Sequence, residues 1–226
     1  MSALKGIDRA KLIEDISSLL INNKLDEKPL IVGINGMDTS GKTRLAMDLE
    51  HELKKREIPV QTVHVDDFHN PKSIRYNKDL PDYLQYYCLS INFPKLIQEV
   101  LQPISEGKLR KELILLDLEL DEWSMLRRYE VDVSTIVIVE GVFLFREELQ
   151  SFFDVSILLE VEEEEIIKRA WQRDVPNQGN EVIEKYFRKY LPAQRMYIHK
   201  CNPEKFASIV IENTDWKNPK LKKWHS

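Results

Sequence analysis

Between residues 8 and 22 the apolar positions Leu12, Ile13, Ile16, Leu19 and Leu20 recur at helical spacing behind a capping Asp8. This predicts an amphipathic helix packed outside the main sheet. After Pro29 the pattern changes: "LIVGI" has no polar position, as expected of a strand buried on both faces. A helix follows from about Gly41 to Arg56, and "VQTVHV" predicts a second strand ending at "DDFHNP". A polar, aromatic-rich segment leads to a helix from about Phe93 to Leu101; "ELILLDLELDEW" and the residues up to Val131 predict an inserted hairpin. "STIVIVEG", "DVSILLEV" and "FASIVIEN" supply further buried strands. Between the last two lie a charged helix over about Glu162 to Arg173, a polar loop through Asn180 and a long helix toward His199. The basic tail "DWKNPKLKKWHS" is expected to be a solvated end. Short apolar strands alternating with helices predict parallel βαβ units: an α/β fold of three layers, with a central, mostly parallel sheet and helices on both faces.

Composition narrows the classes. A chain of 226 residues, 42% of them hydrophobic, fits one domain with small appendages. The expected organisation is one domain over 1–226: a helical extension over 1–27, a substrate-binding segment over 68–92, a lid loop over 174–180 and a tail over 214–226. A net charge of −5 disfavours a non-specific nucleic-acid binder. Cys88 and Cys201 lie far apart without metal-type spacing and read as free thiols of a reduced compartment. The charged N-terminus has no apolar core of a signal peptide, and no apolar run approaches the roughly 20 residues that cross a bilayer. A cytoplasmic protein without membrane or nucleic-acid partners is expected; a homo-oligomer is left open.

The chemistry concentrates in four stretches. Gly36, Met37, Asp38, Thr39, Ser40, Gly41, Lys42 and Thr43 satisfy the P-loop pattern between a strand and a helix, with Arg44 following. Glycines let backbone N–H groups turn inward around phosphate oxygens, and the helix dipole points at the same anion. Lys42 is suited to bridge the β- and γ-phosphates and the Thr43 hydroxyl to bind magnesium, so a nucleoside triphosphate site follows. In "VHVDDFHNP", Asp66 and Asp67 sit at the carboxyl end of the second strand, where ligands of parallel sheets gather. Asp66 there would take a proton from an attacking hydroxyl and help hold magnesium; the competing reading is a turn cap. Glu140 ends another buried strand, with magnesium or a basic side chain as its partner. Arg169 and Arg173 lie four residues apart and lead into "DVPNQGN", where they would close over phosphates; Glu165, four residues before Arg169, offers a surface salt bridge instead. "NKDL" at Asn77–Leu80 fails as a guanine signature, because position 80 is leucine and no strand precedes it.

Together "GMDTSGKT", "DDFHNP", "VEGVFLF", "KRAWQRD" and "IVIEN", in this order over roughly residues 28 to 213, resemble the uridine kinase family, within the P-loop group that includes phosphoribulokinase and pantothenate kinase. The resemblance implies a P-loop NTPase fold with a lid, and an ATP- or GTP-dependent kinase acting on a small-molecule hydroxyl, the 5′-hydroxyl of a nucleoside in its namesakes. Asp66 matches the family's catalytic aspartate, Lys42 and Thr43 its phosphate and magnesium residues, Glu140 its acidic strand end, and Arg169 and Arg173 its lid arginines. His69 stands where the family often carries a tyrosine near the substrate. The segment "NPKSIRYNKDLPDYLQYYCLSINF" lacks the usual Asp-His-Pro element and looks closer to a bacterial uridine-kinase-like branch. Phe68, Arg75, Tyr76 and Tyr87, with Asp66, His69 and Glu140, are the expected acceptor contacts, the tyrosines by stacking a ring. The alternatives are a kinase of another small alcohol (sugar, pantothenate-like or riboside) and a nucleotide-dependent ATPase switch acting on a protein partner.

Overall fold

The computed structural model describes residues 6–225. The first five residues of the expected extension and the last of the tail therefore lie outside the described residues. In chain order the elements are α1 (Arg9–Asn23), β1 (Leu30–Gly36), α2 (Lys42–Lys55) and β2 (Val60–His64), then a 3₁₀ turn over Val65–Phe68. The short helices α3 (Lys72–Arg75) and α4 (Asp82–Leu89) follow. Next come α5 (Phe93–Leu96) and α6 (Gln102–Ser105), joined by a π-turn, and the hairpin β3 (Leu109–Asp117) and β4 (Glu122–Val131). Then run β5 (Ile136–Gly141), α7 (Glu147–Gln150), β6 (Val155–Glu160), α8 (Glu163–Arg173), α9 (Val175–Gln178) and α10 (Glu181–Lys185). A second π-turn over Tyr186–Tyr190 leads to α11 (Leu191–Cys201), α12 (Pro203–Phe206), β7 (Ile209–Glu212) and β8 (Lys220–Trp224).

The main sheet has the order β2-β5-β1-β6-β7-β8, parallel except for the antiparallel β7–β8 pair. Alternation along each strand divides the core. Leu30, Val32 and Ile34 of β1 face α1 and α2 with Ile136, Ile138, Ile157 and Ile209. On the other face, Ile31, Val63, Val137, Val139 and Leu158 pack under α4, α5, the hairpin and α11. A separate small core of Ile166, Ala170, Val182, Ile183, Tyr186 and Leu191 holds the lid region together.

Four expectations need correction. The tail is not a solvated end: β8 pairs with β7, and Gly6 bridges to Lys220. The loop over 174–180 contains a single helical turn, α9, and the long helix toward His199 is divided by the π-turn over Tyr186–Tyr190. The physical reason is Pro192, which has no N–H and crowds the carbonyl four residues earlier, Arg188, so the backbone widens there. Pro103 and the π-turn over Ile97–Leu101 repeat the arrangement in the helix expected to end at Leu101.

Candidate active site

The P-loop follows from backbone permissiveness. Gly41 has φ +97°, a left-handed conformation, and Thr39 lies at +59°. At Gly36 an added Cβ would stand 2.5 Å from Ser40 Oγ and 2.7 Å from the Leu159 carbonyl, so only glycine lets β1 turn this closely. Ser40 N donates to the Met37 carbonyl at 3.1 Å, and Lys42 Nζ donates to the same carbonyl at 2.8 Å. Ser40 Oγ is fully buried and has no partner among the described residues. Asn213 Nδ2, from the end of β7, donates to the Ser40 carbonyl at 2.8 Å and fixes the loop from below.

This loop forms one wall of a cleft of about 550 Å³ lined by Asp38, Thr39, Gly41, Lys42, Thr43, Arg44, Asp66, Glu140, Arg169, Gln172 and Arg173. The strand-end acids, the lysine, the threonine and both predicted arginines are thus brought together. Strand register accounts for part of this, since His64 of β2 is the cross-strand partner of Glu140 on β5. Glu140 is buried, 6% exposed. It accepts from Thr43 Oγ1 at 3.1 Å and pairs with His64 Nδ1 at 2.7 Å. Burial works to raise the Glu140 pKa, but the His64 bond, the Lys42 charge and the Thr43 hydroxyl outweigh it and hold the carboxyl below its ordinary range. The same bond pushes the His64 imidazole up against its desolvation. Of the two partners foreseen for Glu140, a basic side chain stands beside it in His64, and the Thr43 hydroxyl is a further neighbour.

Asp66 and Asp67 diverge. Asp67 is taken up by Arg127 of β4 in a two-pronged pair at 2.6 and 3.0 Å. The Asp66 carboxylate has no hydrogen-bond partner among the described residues. Its side chain is exposed to the cleft but enclosed by the cleft walls. The lost hydration pushes its pKa up, with Asp38 and Glu140 adding to the rise and His69 and Lys42 opposing it. A carboxylate so placed is a stronger base than one in open water.

The arginines are engaged. Arg169 Nε pairs with Glu165 at 3.1 Å, Nη1 donates to the Thr39 carbonyl at 3.1 Å, and Nη2 donates to the carbonyls of Asn213 and Thr214 at 2.7 and 3.0 Å. It is at once the foreseen salt bridge and a brace across the P-loop. Arg173 pairs with Asp174 at 2.6 and 3.0 Å and donates to the Tyr186 hydroxyl at 3.2 Å. Arg44 is exposed and pairs with Asp48 at 3.1 Å. Arg195 pairs with Glu163 at 2.7 Å on the surface.

Acceptor-side residues divide. His69 Nδ1 donates to the Asp66 carbonyl at 2.6 Å. Phe68 is buried in the core. Tyr87 is not brought to the cleft: its ring packs on Phe143 and Tyr197, and its hydroxyl lies 3.6 Å from Cys201 Sγ. Its neighbour Tyr86 takes the cleft side, donating to Asp38 Oδ2 at 2.9 Å. Arg75 is 9% exposed and pairs with Asp121 of the hairpin tip at 3.3 Å, while Tyr76 is 55% exposed. Sequence reasoning placed Asp38 in the P-loop but did not single out His64, Asn213 or Lys189; of these only the position of Asn213 in "IVIEN" carried a signal.

Among the described residues no group of three His, Cys, Asp or Glu side chains is placed to cage a metal. Magnesium brought with a nucleotide needs only one or two protein oxygens, and the Thr43 hydroxyl and the carboxylates of Glu140 and Asp66 are hard donors lining one cleft. The orphaned Ser40 hydroxyl and the glycine cradle fit a phosphate. Among the described residues no helix is long and apolar enough to cross a membrane.

No family model matches the chain. A uridine kinase of Lactobacillus helveticus is 22% identical over 201 residues, covering 82% of this chain and 87% of that protein. A structure of a possible uridine kinase from Bacillus stearothermophilus is 26% identical with a TM-score of 0.71, covering 88% of this chain and 97% of the other. Phosphoribulokinase from Rhodobacter spheroides shares the fold at a TM-score of 0.57 and 12% identity, covering 83% of this chain and 71% of its own. The fold is that of the P-loop kinases, and the chain resembles the uridine kinases over about four-fifths of its length.

Proposed function

The chain being a small-molecule phosphotransferase related to the uridine kinases, we propose that it transfers the terminal phosphoryl group of ATP, with magnesium, to a nucleoside 5′-hydroxyl. Support comes from the unpartnered Asp66 carboxylate, which shares one cleft with the P-loop lysine. Backbone N–H groups of Gly36 to Thr43 hold the phosphates, and Lys42 moves its ammonium from the Met37 carbonyl to phosphate oxygens. Asp66 accepts the proton of the attacking hydroxyl, its raised pKa strengthening it as a base. Arg173, at the cleft's lid side, spreads the negative charge that grows on the transferring group, and Arg169 keeps the P-loop closed behind it. Thr43 and Glu140 would supply oxygen donors for magnesium, whose chemistry when bound is to neutralise phosphate charge.

The test is ADP release with magnesium-ATP against a panel of nucleosides, sugars and vitamin alcohols. Uridine or cytidine should accelerate release and yield the 5′-monophosphate. Acceleration by a non-nucleoside alcohol alone would remove the nucleoside and leave the kinase. Hydrolysis that no small molecule accelerates would favour a switch acting on a protein partner.

A further inference from the structure

Beside the phosphate cleft lie two cations that the reaction described above does not use. Lys189, on the π-turn before α11, holds its Nζ 5.3 Å from the ring centre of Tyr76 and 5.5 Å from those of Tyr86 and Tyr190. Among the described residues its ammonium has neither a hydrogen bond nor an ion pair. Arg75 lies over the same Tyr76 ring, its Cζ at 5.5 Å from the centre. Although Arg75 is only 9% exposed, its Nε has no partner among the described residues. Tyr86 joins this pair to the phosphate cleft, since its hydroxyl donates to Asp38, which lines that cleft.

Carboxylates only partly answer these two cations. Asp121 faces Arg75 at 3.3 Å. Asp82, itself paired with Arg188 at 2.5 Å, and Asp38 favour the charge of Lys189, but neither forms an ion pair with it among the described residues. Two cations thus share one aromatic setting with incomplete partners. Burial, and then the charge of Arg75, hold Lys189 below the usual lysine range, as two like charges sharing a site should. Cation–π attraction explains one cation on a tyrosine. It does not explain two, one of which keeps a buried N–H without an acceptor, a costly arrangement in a free-standing protein.

We infer that the phosphate acceptor carries an anionic group, a carboxylate or a phosphate monoester, which seats between Arg75 and Lys189 against the tyrosine walls while its hydroxyl faces Asp66. This rests on the phosphoryl-transfer reading above and narrows its acceptor. A planar ring on the acceptor would lie against Tyr76 or Tyr190, and the anion would complete the partners of the Arg75 Nε and the Lys189 ammonium. A neutral nucleoside would leave both groups as they are.

The test uses the full chain with magnesium-ATP and matched acceptors: uridine against 5-carboxyuridine, and glycerol against glycerate and glycerol 3-phosphate. ADP release gives kcat/KM, and calorimetric titration reports binding of any acceptor that does not react. The anionic member should be favoured about 10- to 100-fold in at least one set, the worth of one charge-assisted contact. Lys189→Gln should erase that preference and Lys189→Arg should keep it, with nucleotide affinity unchanged in both. Glycerate against glycerol 3-phosphate distinguishes a carboxylate from a phosphate monoester. Equal response to neutral and anionic members in both sets, no binding of any, or a preference untouched by Lys189→Gln overturns the inference. Equal response in both sets with uridine still serving would do so while leaving the nucleoside reading intact. Glycerate or glycerol 3-phosphate serving while both nucleosides fail would do the reverse.

Discussion

Replacing Asp66 with Asn separates binding from chemistry. The two side chains have nearly the same volume, and the Asp66 carboxylate accepts no hydrogen bond among the described residues, so the amide can turn into the cleft without breaking an internal contact. Stability should stay within about 0.5 kcal/mol, as for other positions away from such contacts. The nucleotide site should keep its affinity or gain some. Asp66 is one of three carboxylates in this neighbourhood, with Asp38 and Glu140 each disfavouring its charge, and an incoming polyphosphate meets the same repulsion. What the substitution removes is the proton acceptor. Positioned general bases are worth about 10²- to 10⁴-fold, so kcat should fall by that factor, or about 2.7–5.4 kcal/mol of transition-state stabilisation. Calorimetric titration with ATP measures the first quantity, and single-turnover phosphate transfer measures the second. The wild-type acid limb of kcat/KM should lie above the ordinary aspartate value of 3.8, because enclosure raises the Asp66 pKa, and the variant should lack that limb. A fall in kcat of less than tenfold, or a loss of nucleotide affinity that accounts for the whole decline, would refute the assignment.

Other substitutions probe the frame. Gly141→Ala would place a Cβ 2.4 Å from Val65 Cβ, driving β5 against the turn that carries Asp66. It should cost about 1–3 kcal/mol in urea unfolding and lower kcat as well. Arg127→Ala frees Asp67 and unties the hairpin from that turn; KM for the acceptor should rise severalfold while ATP affinity holds, which steady-state kinetics would show. Asp174→Asn tests the lid. Burial works to raise the Asp174 pKa, but bonds from Arg173 and the Tyr186 hydroxyl outweigh it and hold it below 3.8. Its contribution is therefore present above 3.8 and lost as pH falls through the lowered folded value. The variant should be about 1 kcal/mol less stable at pH 7, a figure already reduced for the exposure of Arg173, and the difference in urea midpoints should vanish in strong acid.

The strands of the central sheet were legible because burial on both faces leaves a run such as "IVIV" no polar position, and the P-loop because its residue types are dictated by the anion. β8 was not legible, for a physical reason. It is an edge strand with lysines at 220, 222 and 223, and an irregularity opposite Val210 and Ile211 breaks its two-residue period. A polar edge strand of this kind reads as a solvated tail. The π-turns were hidden because their cause, Pro103 or Pro192, acts on residues four positions upstream. Tyr87 and Tyr86 illustrate another limit: adjacent helical residues point about 100° apart, and nothing in "DYLQYY" says which faces the cleft. Lys189 sits in "YFRKY" beside Arg188, and only the fold sends one to Asp82 at the surface and the other among tyrosines.

The paired aspartates show how one turn serves two purposes. A 3₁₀ turn advances about 120° per residue, so neighbours on it leave in different directions. Asp67 departs toward the hairpin, where Arg127 neutralises it and fixes the acceptor side of the cleft. Asp66 departs toward the P-loop, where its carboxylate has no hydrogen-bond or ion-pair partner among the described residues, and an unengaged carboxylate is the one able to accept a proton. The strands set the rest. His64 and Glu140 meet because β2 and β5 pair in parallel with Val63 opposite Val139. A slip of one residue would set a valine beside the buried Glu140 carboxylate and turn His64 away from it. The same slip would carry Val63 out of the core beneath the hairpin, so apolar burial and the placing of the site's acids are enforced by a single register.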